Sequence, residues 1–274
     1  MFVGVLGPEG TYSEMAALAL GYPESALCYF PTIEDVAHDV VERRLDCGVI
    51  PLENSSEGSV GTTLDVLLLL PVLITHEIVL PIRHHLVAQK GAEIRVVYSH
   101  WQAIAQCQAF LRAFGREIIA VSSTSQAARL ARENAQAGAI TSLRAAERYG
   151  LQIIHADIHD VKDNSTKFVV IVRRDTQAEM SAGTKTSIAL ELRQNKPGAL
   201  YEVLHVFAEH QLNLSKIESR PAKRSLGEYI FYIDLEGNTS DPRVISAFNA
   251  LQLHVSQLKV LGSYSSETHL TWQP

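Results

Sequence analysis

Short apolar runs alternate with capped helical stretches along the first part of this 274-residue chain. That alternation restricts the fold to an open α/β arrangement with crossover connections. Residues 2–6 read as a buried strand, and Gly7-Pro8-Glu9-Gly10 as a tight turn. Thr11-Tyr12-Ser13-Glu14 has the T-x-x-E form of a capping box and opens a helix over 13–20. Thr32-Ile33-Glu34-Asp35 opens the next helix with a shorter acid. Residues 47–51 read as a strand and 53–61 as a polar loop, with strands near 75–81, 86–88 and 95–98. Ser99-His100-Trp101-Gln102 reads as a third capping box, with a helix over 102–114. A strand at 118–121 leads through Ser123-Thr124-Ser125 into a helix over 126–135. A strand at 139–141 is followed by a helix capped by Ser142 and ending at Tyr149-Gly150. Strands at 152–155 and 168–172 close this region.

Residues 173–184 are polar and lack periodicity, which reads as a linker. Beyond it the spacing predicts a strand at 186–192, a turn at Asn195-Lys196-Pro197-Gly198 and a helix over 199–210. Strands follow at 212–219 and 228–235, joined by a turn at 221–227. Asp241-Pro242 starts a helix over 243–251, with Pro at the first helical position, and a strand at 258–264 completes the pattern. The order βαββαβ is that of a ferredoxin-like module. Two domains are therefore expected, 1–178 and 185–274, with the linker at 179–184.

Net charge −6, without a basic run, offers no electrostatic footprint for nucleic acid or an anionic membrane. The longest apolar run, 64–74, is interrupted by Asp65 and Pro71 and is too short to span a bilayer. The first residues lack a basic n-region and a small-residue cleavage site. Cys28, Cys47 and Cys107 are odd in number and widely spaced, a pattern of reduced thiols. These features predict a cytoplasmic protein. His155 and His159 fall in a strand and a turn, His84 and His85 are adjacent, and no spacing completes a zinc set, so no metal is expected.

Polar clusters fall where α/β proteins usually place ligands: Gly10-Thr11-Tyr12-Ser13, Glu53-Asn54-Ser55, Ser99-His100 and Ser123-Thr124-Ser125. Free N–H groups and the positive end of a helix dipole suit such turns to carboxylates. The same residues serve equally as plain helix caps, and the clusters alone also fit a solute-binding module.

Two segments carry more information. Asn164-Ser165-Thr166-Lys167-Phe168 resembles the catalytic motif of prephenate dehydratases, with Lys167 where that family usually has Arg. Leu214-Ser215-Lys216-Ile217-Glu218-Ser219-Arg220-Pro221 resembles the effector-site signature of the same family's ACT domain. Further segments look like the family, among them Gly7-Pro8-Glu9-Gly10-Thr11-Tyr12-Ser13, Pro51-Leu52-Glu53-Asn54-Ser55, His84-His85-Leu86 and Ser99-His100-Trp101-Gln102-Ala103.

The resemblance implies a two-lobed catalytic domain like periplasmic solute-binding proteins, the second lobe spanning roughly 76–157, followed by the ACT domain. It implies decarboxylative dehydration of prephenate to phenylpyruvate without a cofactor, and phenylalanine as effector. By the same analogy Thr166 assists departure of the hydroxyl. Lys167 supplies charge near a carboxylate, Phe168 packs under the ring, and Thr11, Ser13, Asn54, Ser55, His84, Ser99, His100, Ser123 and Thr124 bind substrate. Asn195, Gly198, Ala199, Leu200, Glu218, Ser219 and Arg220 take the effector between paired modules, which implies a homodimer or homotetramer. The rival readings are an arogenate dehydratase, a prephenate decarboxylase that leaves the ring unaromatised, and a non-catalytic amino-acid sensor.

Overall fold

The computed structural model describes residues 1–175, 183–224 and 227–267, without the side chains of 266 and 267. Most of the expected linker, part of the 221–227 turn and the last seven residues of the second domain lie outside the described residues. The chain divides into two compact units: Met1–Thr63 with Ile78–Phe168, and Leu64–Glu77 with Val169–Glu267.

Unit 1 contains two sheets. In the first, β1 (Val3–Leu6) lies parallel to both β2 (Leu27–Phe30) and β3 (Cys47–Asn54), and β3 neighbours β11 (Ser165–Arg173). A short strand, β4 (Gly58–Ser59), folds back antiparallel on β3. The second sheet has five strands: β6 (His85–Ala88), β7 (Val96–His100), β8 (Glu117–Val121), β9 (Ala137–Thr141) and β10 (Gln152–His155), in the order β10-β6-β9-β7-β8. β7 runs parallel to β8 and β9, whereas β6 runs antiparallel to β9 and β10.

The helices of unit 1 follow the strands. They are α1 (Tyr12–Ala19), α2 (Ile33–Val41), α4 (Trp101–Ala105), α5 (Gln108–Phe114), α6 (Thr124–Glu133) and α7 (Leu143–Tyr149). Strand β6 is apolar on both faces because helices cover both. Leu86 and Ala88 pack with Val97, Cys107 and Leu111, while Val87 packs with an alanine-rich layer from α6, β9 and α7. Fully burying an aliphatic side chain of this size contributes about 1.5–3 kcal/mol.

Two local expectations are revised, and one helix forms where the sequence assigned no element. The apolar run from residue 64 begins inside a helix, α3 (Gly61–Leu69), whose hydrophobic residues are spread around it, so no helical period shows in the sequence. The helix expected over 102–114 is two helices, α4 and α5. The Gln106 carbonyl accepts the Asp160 N–H (2.7 Å), and both Asp160 carboxylate oxygens accept the Ala109 N–H (3.3 Å) at the start of α5. Finally, Ser99 is not a cap. It lies in β7 and donates to the Ile140 carbonyl (2.8 Å), and the N-cap of α4 is His100.

Unit 2 has the βαββαβ order of the sequence reading: β12 (Lys185–Leu192), α8 (Ala199–Glu209), β13 (Leu214–Pro221), β14 (Tyr229–Glu236), α9 (Pro242–Leu251) and β15 (Val255–Glu267). The ladders among β12 to β15 are antiparallel, and the order is β13-β14-β12-β15-β5, where β5 is Val72–Pro81. Ile188, Leu190, Ile233 and Leu235 meet Val203, Phe207, Val244 and Leu251 of the helices. Asp241 caps α9 by accepting the Arg243 N–H at 2.8 Å. A charged cluster is buried in this unit: Lys185 contacts Glu77 and lies 4.0 Å from Asp234, which accepts from Ser187 at 2.5 Å, and the Tyr264 hydroxyl lies 2.7 Å from Ser187.

Candidate active site

A cavity of about 370 Å3 in unit 1 gathers the starts of three helices around the ends of β3 and β11. Thr11 caps α1: its hydroxyl donates to the Leu6 carbonyl (2.8 Å) and accepts the Glu14 N–H (3.4 Å). Ser123 caps α6 by accepting the Gln126 N–H at 2.9 Å. Thr11, Tyr12 and Ser13, then His100 and Gln102, then Ser122, Ser123 and Thr124 line the cavity. Among the described residues that line it, none is Lys or Arg. Burial lowers the His84 pKa to about 4, although a bond to Gln106 works the other way, and burial lowers that of His100 as well. Both imidazoles are therefore neutral at pH 7, and the positive potential comes from helix ends and neutral donors.

The first turn is held by charges set behind the cavity wall. The Glu14 carboxylate is fully buried, accepts the Gly10 N–H (2.5 Å) and pairs with the Arg144 guanidinium (2.7 Å). The capping box thus reaches one residue further back than Thr11. Arg144 continues to Glu24 at 2.8 Å, and Arg148 joins Glu24 and Glu9. Gly10 has φ +85°, and a Cβ there would lie 3.0 Å from the Ala145 Cα, so glycine is required on both counts. The Ser142 hydroxyl donates to the Gly10 carbonyl at 2.9 Å, and the Ser125 hydroxyl bonds the Glu9 carbonyl.

Alternation along β11 decides which motif residues reach the cavity. Thr166 and Phe168 line it, at 8% and 2% exposure. Lys167 is not among the lining residues and pairs with Glu53 at 3.3 Å. Asn54 closes the cavity floor. Its Nδ2 donates to Thr166 Oγ1 and Asn164 Oδ1, both at 2.9 Å, and its Oδ1 accepts the N–H groups of Ser56 (2.9 Å) and Glu57 (3.1 Å). Asn164 Nδ2 donates to Gln106 Oε1 (3.0 Å), which also meets His84 Nε2 at 2.9 Å.

Nine of the residues expected at a substrate site therefore meet at one cavity: Thr11, Ser13, Asn54, His84, His100, Ser123, Thr124, Thr166 and Phe168. Three do not line it. Ser99 is fully buried in its bond to Ile140, Lys167 faces Glu53, and exposed Ser55 is tied to the start of β11, accepting the Ser165 N–H at 3.0 Å. Tyr12, Gln102, Gln106 and Ser122 also line the cavity; Tyr12 and Gln102 lie in segments that the sequence marked without giving them a substrate role, and Gln106 and Ser122 lie in none. Gln102 and Gln106 stand four apart directly after Ser99-His100, a spacing that sets both on one helical face. The Tyr12 hydroxyl donates to the Arg83 carbonyl at 2.5 Å, and its ring meets the His84 ring edge-on.

In unit 2 the residues expected to take an effector fall on two segments at one end of the sheet. Glu191 and Arg220 both register with Ile230, so the loop after β12 and the end of β13 lie at the same level. Asn195 Nδ2 donates to the Gly227 carbonyl (3.1 Å), and Gly198, at φ +86°, is the N-cap of α8 ahead of Ala199 and Leu200. Glu218 pairs opposite Tyr232 and Arg220 opposite Ile230, on one face, whereas Ser219 pairs opposite Phe231 on the helix-covered face. Glu218 lies 3.4 Å from Lys216, and Arg220 lies 4.0 Å from Asp65.

Fold and cavity define a mixed α/β enzyme body, built on two sheets, with a βαββαβ module. The prephenate dehydratase family model matches residues 3–176, and the ACT domain model matches residues 186–252. Over 263 residues the chain is 40% identical to the prephenate dehydratase of Methanocaldococcus jannaschii, covering 94% of this chain and 95% of that one. Among solved structures, it superposes on the prephenate dehydratase of Arthrobacter aurescens in complex with L-Phe with a TM-score of 0.86 and 32% identity, covering 97% of this chain and 90% of that one. A quorum-quenching acylase, GqqA, shares the fold at a TM-score of 0.87 and 25% identity, covering 97% of this chain and 98% of that one. The chain belongs to the prephenate dehydratase family of hydro-lyases and carries that family's catalytic domain together with an ACT domain. Among the described residues no helix is long and apolar enough to cross a membrane.

Proposed function

We propose that the unit 1 cavity binds prephenate as its dianion and that Thr166 assists departure of the hydroxyl. The electron pair of the C–carboxylate bond becomes ring π density and carbon dioxide leaves. The C–O pair departs with the hydroxyl oxygen, which gains one proton and leaves as water, and phenylpyruvate remains. Aromatisation supplies the driving force, so the site has to orient the dianion and stabilise the departing oxygen. The observation that carries this reading is Thr166 Oγ1, buried at the cavity floor and already accepting from Asn54 at 2.9 Å. A threonine hydroxyl is a weak free acid, so it acts as a positioned hydrogen-bond donor, with the proton replaced from solvent. The starts of α1 and α6, with Thr11, Ser13, Ser123 and Thr124, receive the carboxylates, His84 and His100 contribute neutral polar edges, and Phe168 packs beneath the ring. Lys167 belongs to the ion pair with Glu53 rather than to the substrate.

On the same reading residues 1–178 form the catalytic domain, 179–184 the linker and 185–274 a regulatory domain that takes phenylalanine between paired modules. Amides of Gly198 and Leu200 suit its carboxylate, whereas the Ala199 N–H donates to the Lys196 carbonyl at 3.1 Å; Glu218 suits its ammonium, with Asn195, Ala199, Ser219 and Arg220 around them. The complex of the Arthrobacter aurescens relative with L-Phe supports this assignment. Pairing of the modules makes a homodimer or homotetramer, and three widely spaced cysteines without a disulfide pattern suit the cytoplasm. The test is incubation with prephenate near neutral pH, quantifying phenylpyruvate with and without phenylalanine. Rapid enzyme-dependent phenylpyruvate that phenylalanine alters supports both assignments. A dihydro product, or turnover of arogenate alone, replaces the reaction assigned here.

A further inference from the structure

The hydrogen-bond network beside Thr166 has a direction, and backbone groups set it. A backbone N–H only donates, so the N–H groups of Ser56 and Glu57 identify the Asn54 atom that they meet as Oδ1. Nδ2 therefore faces Thr166 Oγ1 and Asn164 Oδ1, each at 2.9 Å, with the Ser165 carbonyl at 3.2 Å. Thr166 Oγ1 accepts from that amide, which leaves its own O–H to donate elsewhere. The other branch propagates the same polarity. Asn164 accepts at Oδ1, so its Nδ2 donates to Gln106 Oε1, and His84 Nε2, facing that oxygen at 2.9 Å, carries the proton. His84 Nδ1 then bears a lone pair, and among the described residues it finds no hydrogen-bond partner.

We propose that Asn54 is a positioning residue that sets this direction, holding Thr166 as a donor toward the cavity and His84 as the Nε2–H tautomer. The inference rests on the role of Thr166 proposed above. It reassigns Asn54 from binding substrate to aiming the group that acts on it.

Asn54→Asp tests it with almost no change of shape. One carboxylate oxygen still accepts from Ser56 and Glu57. The other turns a donor into an acceptor, so the Thr166 hydroxyl donates to Asp and no longer to the cavity. Asn164 and Gln106 relax by rotating their amides, which places a donor against His84 Nε2 and shifts the imidazole proton to Nδ1. Protonating the new carboxyl in acid restores a donor facing Thr166.

The expected result is a kcat lowered about 100-fold near pH 7, recovering as pH falls, with KM changed far less. Nitrogen-15 NMR of the full chain, with His84 assigned by loss of its signals in His84→Gln, is expected to show Nε2–H in the native protein and Nδ1–H in Asn54→Asp. A native Nδ1–H tautomer overturns the proposal without any Asn54 variant having to fold. So does an Asn54→Asp enzyme whose kcat and pH profile match the native ones, or whose His84 tautomer is unchanged. A native protein that shows the Nε2–H tautomer but makes no phenylpyruvate would sink the reaction assigned to the site and leave the polarity of the network standing.

Discussion

The cavity of unit 1 and the buried cluster of unit 2 both remove polar groups from water, by different means. Around Thr166 the polar groups that meet are uncharged: two asparagines, a glutamine, a hydroxyl and an imidazole held neutral by burial. In unit 2 the polar core is ionic, with Lys185 set against Glu77 and Asp234. A buried ion pair neutralises itself and has little left to offer a ligand. A neutral network of fixed polarity keeps directed donors and acceptors ready for an incoming dianion, without a stored counter-charge that must first be displaced. The difference suits one region to chemistry and the other to holding strands together.

Lys185→Met attacks the ionic region most directly, because it leaves two carboxylates buried without that ammonium. It should cost roughly 4 kcal/mol of stability, read by chemical denaturation. A loss under 1 kcal/mol would mean that the cluster is not held by charge.

Arg144→Met is the corresponding test behind the cavity wall. Glu14 keeps the Gly10 N–H, so the loss should be nearer 3 kcal/mol, with phenylpyruvate production falling only in proportion to the folded fraction.

Acid is expected to weaken the fold through His84. The folded His84 pKa of about 4 lies below the ordinary 6.5, so the unfolded chain binds the extra proton first as pH falls. Stability from this group is intact above pH 6.5 and is lost between there and about pH 4, to a total on the order of 3 kcal/mol. Denaturation curves at pH 7 and pH 4.5 should therefore converge more closely for His84→Gln than for the native protein, and equal separations would refute the assignment.

The smallest effect is expected at Lys167→Arg. Because Lys167 faces Glu53 rather than the cavity, kcat/KM should change by no more than about twofold. A tenfold change would bring the residue back to the substrate.

The sequence made much of this legible. The βαββαβ order, the caps Thr11, Thr32, Ser123, Ser142 and Asp241, and the convergence of several polar turns followed from local patterns with a physical cause. What it withheld was facing and cross-chain partnership. Alternation in β11 says that Thr166 and Lys167 point oppositely but not which one meets the cavity, since that depends on the strand beside it. Ser99 looks like a cap until Ile140 accepts its hydroxyl. The break between α4 and α5 depends on Asp160, more than 50 residues away in sequence. Gln106 and Asn164 matter because Asn54 and His84 bracket them, a relation that exists only in the fold.

The Thr166 hydroxyl is the group on which the proposed chemistry depends. Thr166→Val keeps the shape of the side chain and removes its hydroxyl, both the donor toward the cavity and the acceptor that meets Asn54 Nδ2 at 2.9 Å. Steady-state kinetics with prephenate are predicted to show kcat falling about a thousandfold, with inhibition by the product phenylpyruvate unchanged, because the cavity still binds. Retention of kcat within roughly tenfold of the native value, with product inhibition intact, would contradict the central claim and move the departing hydroxyl to another donor.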